Sequence, residues 1–281
     1  AGATGAAALA MAGRGLATAE VEHEAVLAWG AGGLAADDAG RVTVPDPASA
    51  CLQLANSETG VIQDLPHGLA VSDLTQGFGK VPFAFNWLGV TMGLVSAHKL
   101  GGPKGVGALV VKRGTDIPAQ LRGGGQEMGR RAGTENVIGI AGFGAAAEAA
   151  ARDLADGVWE RVAGMRDALE AAVAADAPGT MFVGGQGATR LPNTSCLVTP
   201  GWKGETQVMQ MDLAGFAVSA GSACSSGKLR ASRVLRAMGF GDPASASAIR
   251  VSLGASTTMD DVMRFADAWL AQHRKFRAKA A

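Results

Sequence analysis

The chain has 281 residues, with Lys+Arg and Asp+Glu each totalling 25 and 48% of its residues apolar. No net charge steers it toward nucleic acid or an anionic membrane surface, and its longest apolar runs, such as VGALVV at 106–111, are too short and interrupted to span a bilayer. Three cysteines, widely spaced, form neither a disulfide framework nor a Cys-x-x-Cys metal pair, so a reducing, cytoplasmic setting is expected.

Taken in chain order, AGATGAAALAMAG lacks the basic start and long apolar core of a signal peptide. It opens without a leading strand or cap, and it reads as missing the beginning of the natural chain. EVEHEAVLAWGA (20–31) has a helical pattern. Apolar runs at 49–55, 68–73, 92–97 and 107–112 read as strands. An Ala-rich helical stretch follows, from about 135 to 175, and then further strands at 194–199, 216–221 and 248–254. The last helix, TMDDVMRFADAWLAQHRKF, opens with Thr258 and Asp261 in capping-box spacing. Buried-type strands alternating with helices predict an α/β fold with a largely parallel sheet. The Ala-rich helix is the expected division between a larger first domain, 1–145, and a smaller second one, 146–281.

The 41 glycines cluster at 101–107, at 122–133 and around Cys224. A GC-rich genome could explain their number but not the clustering, which marks tight turns or backbone approach to a ligand. In parallel α/β sheets ligands lie beyond the carboxyl ends of strands. The polar residues there are Asn56-Ser57-Glu58, Asp73 with Gln76, Ser96 to Lys99, Cys224 and Arg250. Desolvated at a pocket mouth, Lys99 could attack a carbonyl; by itself it reads equally as a snorkelling lysine. Asp73 could hold a pyridinium nitrogen protonated or simply cap a turn. Along AIRVSLG a period of two puts Ile249, Val251 and Leu253 on one face and Arg250 and Ser252 on the other. Arg250 could then fork a carboxylate or form a surface ion pair. Cys51 and Cys196 lie in apolar runs as packing residues, and Cys224 stands alone among Ser and Gly as the reactive thiol. His67 and His273 fall outside every motif.

SAHKLGGPKGVGALVV, GGGQEMGRRAGTENV and SAGSACSSG, in this order, resemble the cysteine desulfurases of group I, within the class V aminotransferase superfamily. The resemblance runs from AGATG to AIRVSLG. It implies a fold-type I transferase dependent on pyridoxal 5'-phosphate (PLP), with a large, mostly parallel-sheet domain and a smaller α+β C-terminal domain carrying the cysteine loop. It implies conversion of L-cysteine to L-alanine, a persulfide on Cys224, a homodimer, and an iron–sulfur scaffold or other sulfur acceptor as partner. By position, Lys99 matches the Schiff-base lysine, Asp73 the pyridinium partner and Gln76 the donor to the ring oxygen. Ser96, His98, Thr4 and the adjoining Ala3 match phosphate-binding positions, and Thr134 the residue that reaches the neighbouring subunit's phosphate. His23 matches the ring-stacking histidine and a candidate acid–base group, Arg250 the carboxylate clamp, and Asn56 (or Ser57) the asparagine near the substrate.

The chain departs from that pattern in several places. An amino-terminal segment is missing, and Gly5 to Ala8 replace the usual polar residues after AGAT. The stretch from His23 to Asn56 is short, and Ser57 interrupts the common Asn-Asn-Glu. Two other readings stand beside the desulfurase: another class V PLP enzyme (an aminotransferase or selenocysteine lyase), and a non-catalytic partner in sulfur trafficking.

Overall fold

The structure, a computed structural model, describes residues 2–185, 188–221 and 231–280. Its chain forms two compact units: residues 1–35, 42–55 and 63–156 make the first, and 36–41, 56–62 and 157–281 the second. The division falls after Asp156 rather than at 145/146. That earlier point lies inside a continuous helix, whereas Gly157 adopts a left-handed conformation (φ 71°) between two helices.

In the first unit, α1 (Gly2–Met11) is followed by β1 (Thr18–Ala19), α2 (Glu24–Leu27) and β2 (Gly33–Leu34), with β1 and β2 parallel. The main sheet has the order β3 (Val71–Asp73), β4 (Met92–Ser96), β5 (Gly107–Val111). β3 and β4 run parallel, whereas β5 returns antiparallel to β4. The expected parallel run ends there because the Gly- and Pro-containing link between β4 and β5 is too short for a crossover helix. The apolar run at 49–55 forms no ladder with this layer but meets it at isolated bridges, Ala17 to Ala50 and Cys51 to Val71, and through hydrogen bonds such as Leu54 N to the Asp73 carbonyl. Small residues on α1 (Ala6, Ala7 and Ala10) bury it against β3 and β4 through Val71, Met92 and Leu94. The approach is closest at Gly107. A methyl group there would lie 2.5 Å from the Val95 carbonyl oxygen and 2.7 Å from the Gly2 carbonyl carbon. The start of α1 is thereby held at the β4–β5 end of the sheet. The unit closes with α3 (Val137–Ala155).

The second unit comprises α4 (Val158–Asp176), β6 (Met181–Val183), β7 (Thr194–Val198), α5 (Gly204–Leu213), β8 (Ser219–Ala220), α6 (Arg233–Ala237), α7 (Asp242–Ser245), β9 (Ala248–Ser252) and α8 (Met259–Ala280). Its sheet is wholly antiparallel in the order β6-β7-β9-β8, and the run at 216–221 contributes only Ser219–Ala220. Leu197, Ile249 and Val251 cover one sheet face, against Val162 and Leu169 of α4 and Phe265 and Trp269 of α8. Trp269 stacks on His273, with ring centroids 5.3 Å apart, and lies 5.1 Å from Trp202. Gln207 ties this stack to the backbone. Its side chain accepts from Trp269 Nε1 and donates to the carbonyls of Trp202 and Ser247. α8 begins with the predicted capping box, Thr258 N donating to Asp261 Oδ2 at 3.1 Å and Asp261 N to Thr258 Oγ1 at 3.2 Å. Among the described residues no helix is long and apolar enough to cross a membrane.

Candidate active site

The sheet of the first unit assembles most of the expected cofactor residues by register alone. Asp73, the last residue of β3, pairs with Leu94 of β4, and β4 ends two residues later at Ser96. The chain then tightens into a 3-10 turn, Ala97–Lys99, which displays His98 and Lys99 to solvent beyond the strand ends. Ser96 Oγ and His98 Nδ1 are 2.9 Å apart. A side chain on Gly2 would stand 3.2 Å from Ser96 Oγ, so the first turn of α1, with Ala3 and the exposed Thr4, lies beside that pair. The amide groups of this turn have no partners within the helix and attract anions. Partial burial, then the Lys99 and Lys104 ammoniums, hold His98 below the usual imidazole value. Its ring is therefore neutral at neutral pH, paired with the serine hydroxyl.

Asp73 Oδ1 accepts from Thr75 N at 2.9 Å, which fixes the turn leading to Gln76. The capping role and a role toward a pyridinium coexist, since a carboxylate has several acceptor sites. Thr75 Oγ1, buried next to it, has no hydrogen-bond partner among the described residues. Lys80 was not singled out by sequence. It is buried and donates from Nζ to the carbonyls of both Gln76 (3.1 Å) and Lys99 (3.2 Å). One ammonium thus joins the two segments that carry the expected ring donor and Schiff-base lysine. Burial, then the Lys99 charge, push its amine down to about 8. His23 is the N-cap of α2 rather than part of a helix, its Nδ1 accepting from Ala25 N at 3.1 Å. A neutral ring in that geometry carries its proton on Nε2. This donor set suits PLP: a helix start with Ser96 and His98 for a phosphate, Asp73 for a protonated ring nitrogen, and Lys99 for an aldehyde.

Arg250 and Asn56 belong to the second unit. As the period of two predicts, Ile249 and Val251 are buried while Ser252 is exposed. Arg250 donates from Nη1 to the Ser57 carbonyl (2.7 Å) and from Nη2 to Ser219 Oγ (3.2 Å). Its Nε is buried without a hydrogen-bond partner among the described residues. Among the described residues no ion pair to a carboxylate occupies the fork. Asn56 is buried, and its Oδ1 accepts from Glu58 N, Thr59 N and Thr59 Oγ1, so that oxygen shapes a turn. Ser57 meets Arg250, but through its backbone. The next residue, Glu58, is half-buried beside Ser232, whose hydroxyl donates to Glu58 Oε2 at 2.5 Å. Burial pushes this carboxyl up to about 7, against the opposing pull of Ser232, Arg250 and Arg233.

Both described cysteines are buried and free. Desolvation, then the Glu22 and Asp73 carboxylates, raise the Cys51 thiol well above its ordinary value. Burial pushes Cys196 up to about 12. Neither has thiolate character at neutral pH, as packing residues should not. Cys224 lies outside the described residues. Thr134 is exposed in the loop before α3, and no hydrogen bond among the described residues connects it to Ser96 or His98. Two residues of the site carry no sequence signal of their own: Lys80, a lone lysine amid Gly and apolar residues, and Glu58, the last residue of Asn56-Ser57-Glu58.

Residues 8–265 match the model of the aminotransferase class-V family. The chain belongs to this family. A "Cysteine desulfurase" of Gluconacetobacter diazotrophicus is 40% identical over 277 residues, covering 89% of this chain and 69% of the relative. Another "Cysteine desulfurase", from Frankia sp. (strain EuIK1), is 41% identical over 243 residues, covering 82% of this chain and 57% of the relative. The chain therefore spans 69% and 57% of the length of these two relatives. In three dimensions it superposes on a NifS-like protein from Rickettsia africae with a TM-score of 0.85 and 26% identity, over 97% of this chain and 80% of that one. The class-V fold was thus legible before the structure was known.

Proposed function

We propose that the protein is a PLP-dependent cysteine desulfurase: it converts L-cysteine to L-alanine and carries the sulfur on Cys224 to an acceptor such as an iron–sulfur scaffold. The observation that carries this reading is the placement of Asp73 and Lys99 beyond the paired ends of β3 and β4, with Ser96 and His98 beside the start of α1. Bound PLP would supply an electron sink for the substrate's α-carbon. Asp73 would keep the ring nitrogen protonated. Ser96, His98 and the first amides of α1 would hold the phosphate. Lys99 would anchor the aldehyde, and its amine would take the α-proton. Arg250 offers its guanidinium to the substrate carboxylate. The Cys224 thiolate attacks the substrate sulfur, so that an S–S bond forms while the Cβ–S bond breaks. Cβ is reduced to the methyl of alanine, and the sulfur leaves as an enzyme persulfide.

The names of the relatives support this substrate and product. The exposed apolar start of α3 (Val137 and Ile138) and Met128 ahead of it support a homodimer, with this face covered by a second copy.

The test incubates the protein with PLP and L-cysteine and measures alanine, sulfide and protein mass, with sedimentation of the same sample expected at dimer mass. Lys99→Ala should lose covalent cofactor attachment and alanine formation. Cys224→Ser should keep the cofactor but gain no sulfur and release no stoichiometric alanine. Unchanged turnover in either variant would sink the reading.

A further inference from the structure

Glu58 sits in the tight turn that Asn56 Oδ1 organises, and its carboxyl points at two residues far along the chain. Ser232 donates its hydroxyl to Glu58 Oε2, accepts Leu235 N at 3.1 Å as the N-cap of α6, and donates its own N–H to the Ser245 carbonyl. Gly221 donates to the Ala248 carbonyl at 3.1 Å. A methyl added to Gly221 would lie 3.1 Å from both Ser232 Cβ and Ala248 Cβ, and 3.3 Å from Glu58 Oε2. Gly221 and Ser232 are therefore packed against each other, with one carboxyl beneath both. They flank the stretch 222–230 that contains Cys224. The same turn presents the Ser57 carbonyl to Arg250 Nη1.

We infer that Glu58 is a positioning residue for the sulfur-carrying thiol: its carboxyl accepts the Ser232 hydroxyl beside Gly221, at the described residues that flank the stretch bearing Cys224, one residue from the contact that orients Arg250. This rests on the reading of Cys224 as sulfur carrier. Glu58 makes no contact with substrate and acts only through these neighbours.

The carboxyl is also poised to exchange a proton. It is pushed up to about 7 by burial, while Ser232 and Arg233 at the start of α6, and Arg250 on β9, pull the other way. The Cys196 thiol on β7 also feels its charge. Ionised Glu58 accepts the Ser232 hydroxyl more strongly than the neutral acid does. The joint therefore tightens as pH rises through about 7.

The test uses the PLP-loaded protein and the variants Glu58→Ala, Glu58→Gln and Ser232→Ala, with Cys224→Ser alongside. Steady-state alanine formation gives kcat and KM, and iodoacetamide labelling of the Cys224 peptide gives thiol access. Glu58→Ala and Ser232→Ala should lower kcat about tenfold, with KM within threefold and Cys224 labelled at least as fast as in the wild type. Glu58→Gln keeps an acceptor for Ser232 and should restore kcat to within about threefold at pH 7. The wild-type kcat should rise through an inflection near 7 that Glu58→Gln lacks. Should Glu58→Ala not fold, Ser232→Ala removes the same bond by a single hydroxyl and decides the matter. Wild-type kcat in Ser232→Ala and Glu58→Ala, with Cys224→Ser inactive, would overturn the inference alone. Full activity in Cys224→Ser would instead overturn the functional reading on which it rests.

Discussion

Lys80 directs its ammonium at two backbone carbonyls, those of Gln76 and Lys99, a role that no motif around it announces. Removing the donor leaves both turns without their shared tie, at the net worth of one or two hydrogen bonds. Lys80→Met should therefore weaken PLP binding about tenfold, or ~1.4 kcal/mol, as read by equilibrium dialysis of the apo protein. A second readout separates placement of Lys99 from general packing. The folded pKa of Lys80 is depressed from 10.5 to about 8. The stability it can contribute is therefore complete only above its unfolded value, and it is lost as pH falls through about 8. The buried ammonium then costs on the order of 3 kcal/mol. Urea midpoints of the wild type should rise relative to Lys80→Met between pH 8 and 10. A constant difference across that range would mean that the ammonium is hydrated rather than buried. Lys99, Asp73 and Ser96 were legible because their types and spacings form a recognisable motif. Lys80 and Glu58 were not, because their character comes from burial, which a lone Lys or Glu does not announce.

At the scale of elements, α4 is fastened to the strand layer by a buried ion pair. Glu170 receives both Nη1 and Nη2 of Arg190 at 2.7 and 2.9 Å, and Ser195 Oγ of β7 at 2.6 Å. The two side chains are only 14% and 7% exposed. Deleting one partner of such a pair strands the other charge. Glu170→Ala should lose about 3–5 kcal/mol of unfolding free energy, and the double variant Glu170→Ala/Arg190→Met should regain much of it. Denaturant titration checks both; a loss under about 1 kcal/mol would show a solvated, weak pair.

Most strands could be read from the sequence, as at AIRVSLG, where alternation predicted the buried and exposed faces correctly. The run at 49–55 could not. Leu52 and Leu54 do donate to the Val71 and Asp73 carbonyls, yet the pairing resolves into isolated bridges that no apolar run reveals. The direction of β5 was hidden as well, because periodicity carries no sign for parallel or antiparallel pairing. The length of the link to β4 did carry it.

For the whole molecule, the two units divide the chemistry. The first holds the proposed cofactor residues; the second holds Arg250 and the flanks of the cysteine segment. They also differ in their response to acid. His273, in the second unit, is buried and stacked on Trp269, and its Nδ1 lacks a hydrogen-bond partner among the described residues. Burial, followed by the Arg277 and Arg274 charges, lowers its pKa below the ordinary 6.5. For a base with a depressed folded pKa, stability is present above the unfolded value and is lost as pH falls through the folded one. His273→Phe should therefore flatten the acid limb of stability below pH 6.5, measured by urea midpoints. An acid limb identical to wild type would show that protonation of this ring is not felt.

The same aromatic stack has an optical consequence. The chain has five tryptophans and no tyrosine, so its ultraviolet emission is that of tryptophan alone. Trp29 and Trp87, in the first unit, are 41% and 89% exposed and emit as indoles in water do. Trp202 and Trp269, in the second, are sealed at 2% and 0% and emit at shorter wavelength. The blue edge of the spectrum is thus a clock for the second unit's interior. It can be followed without a label, and absorbance of the proposed cofactor would follow the first.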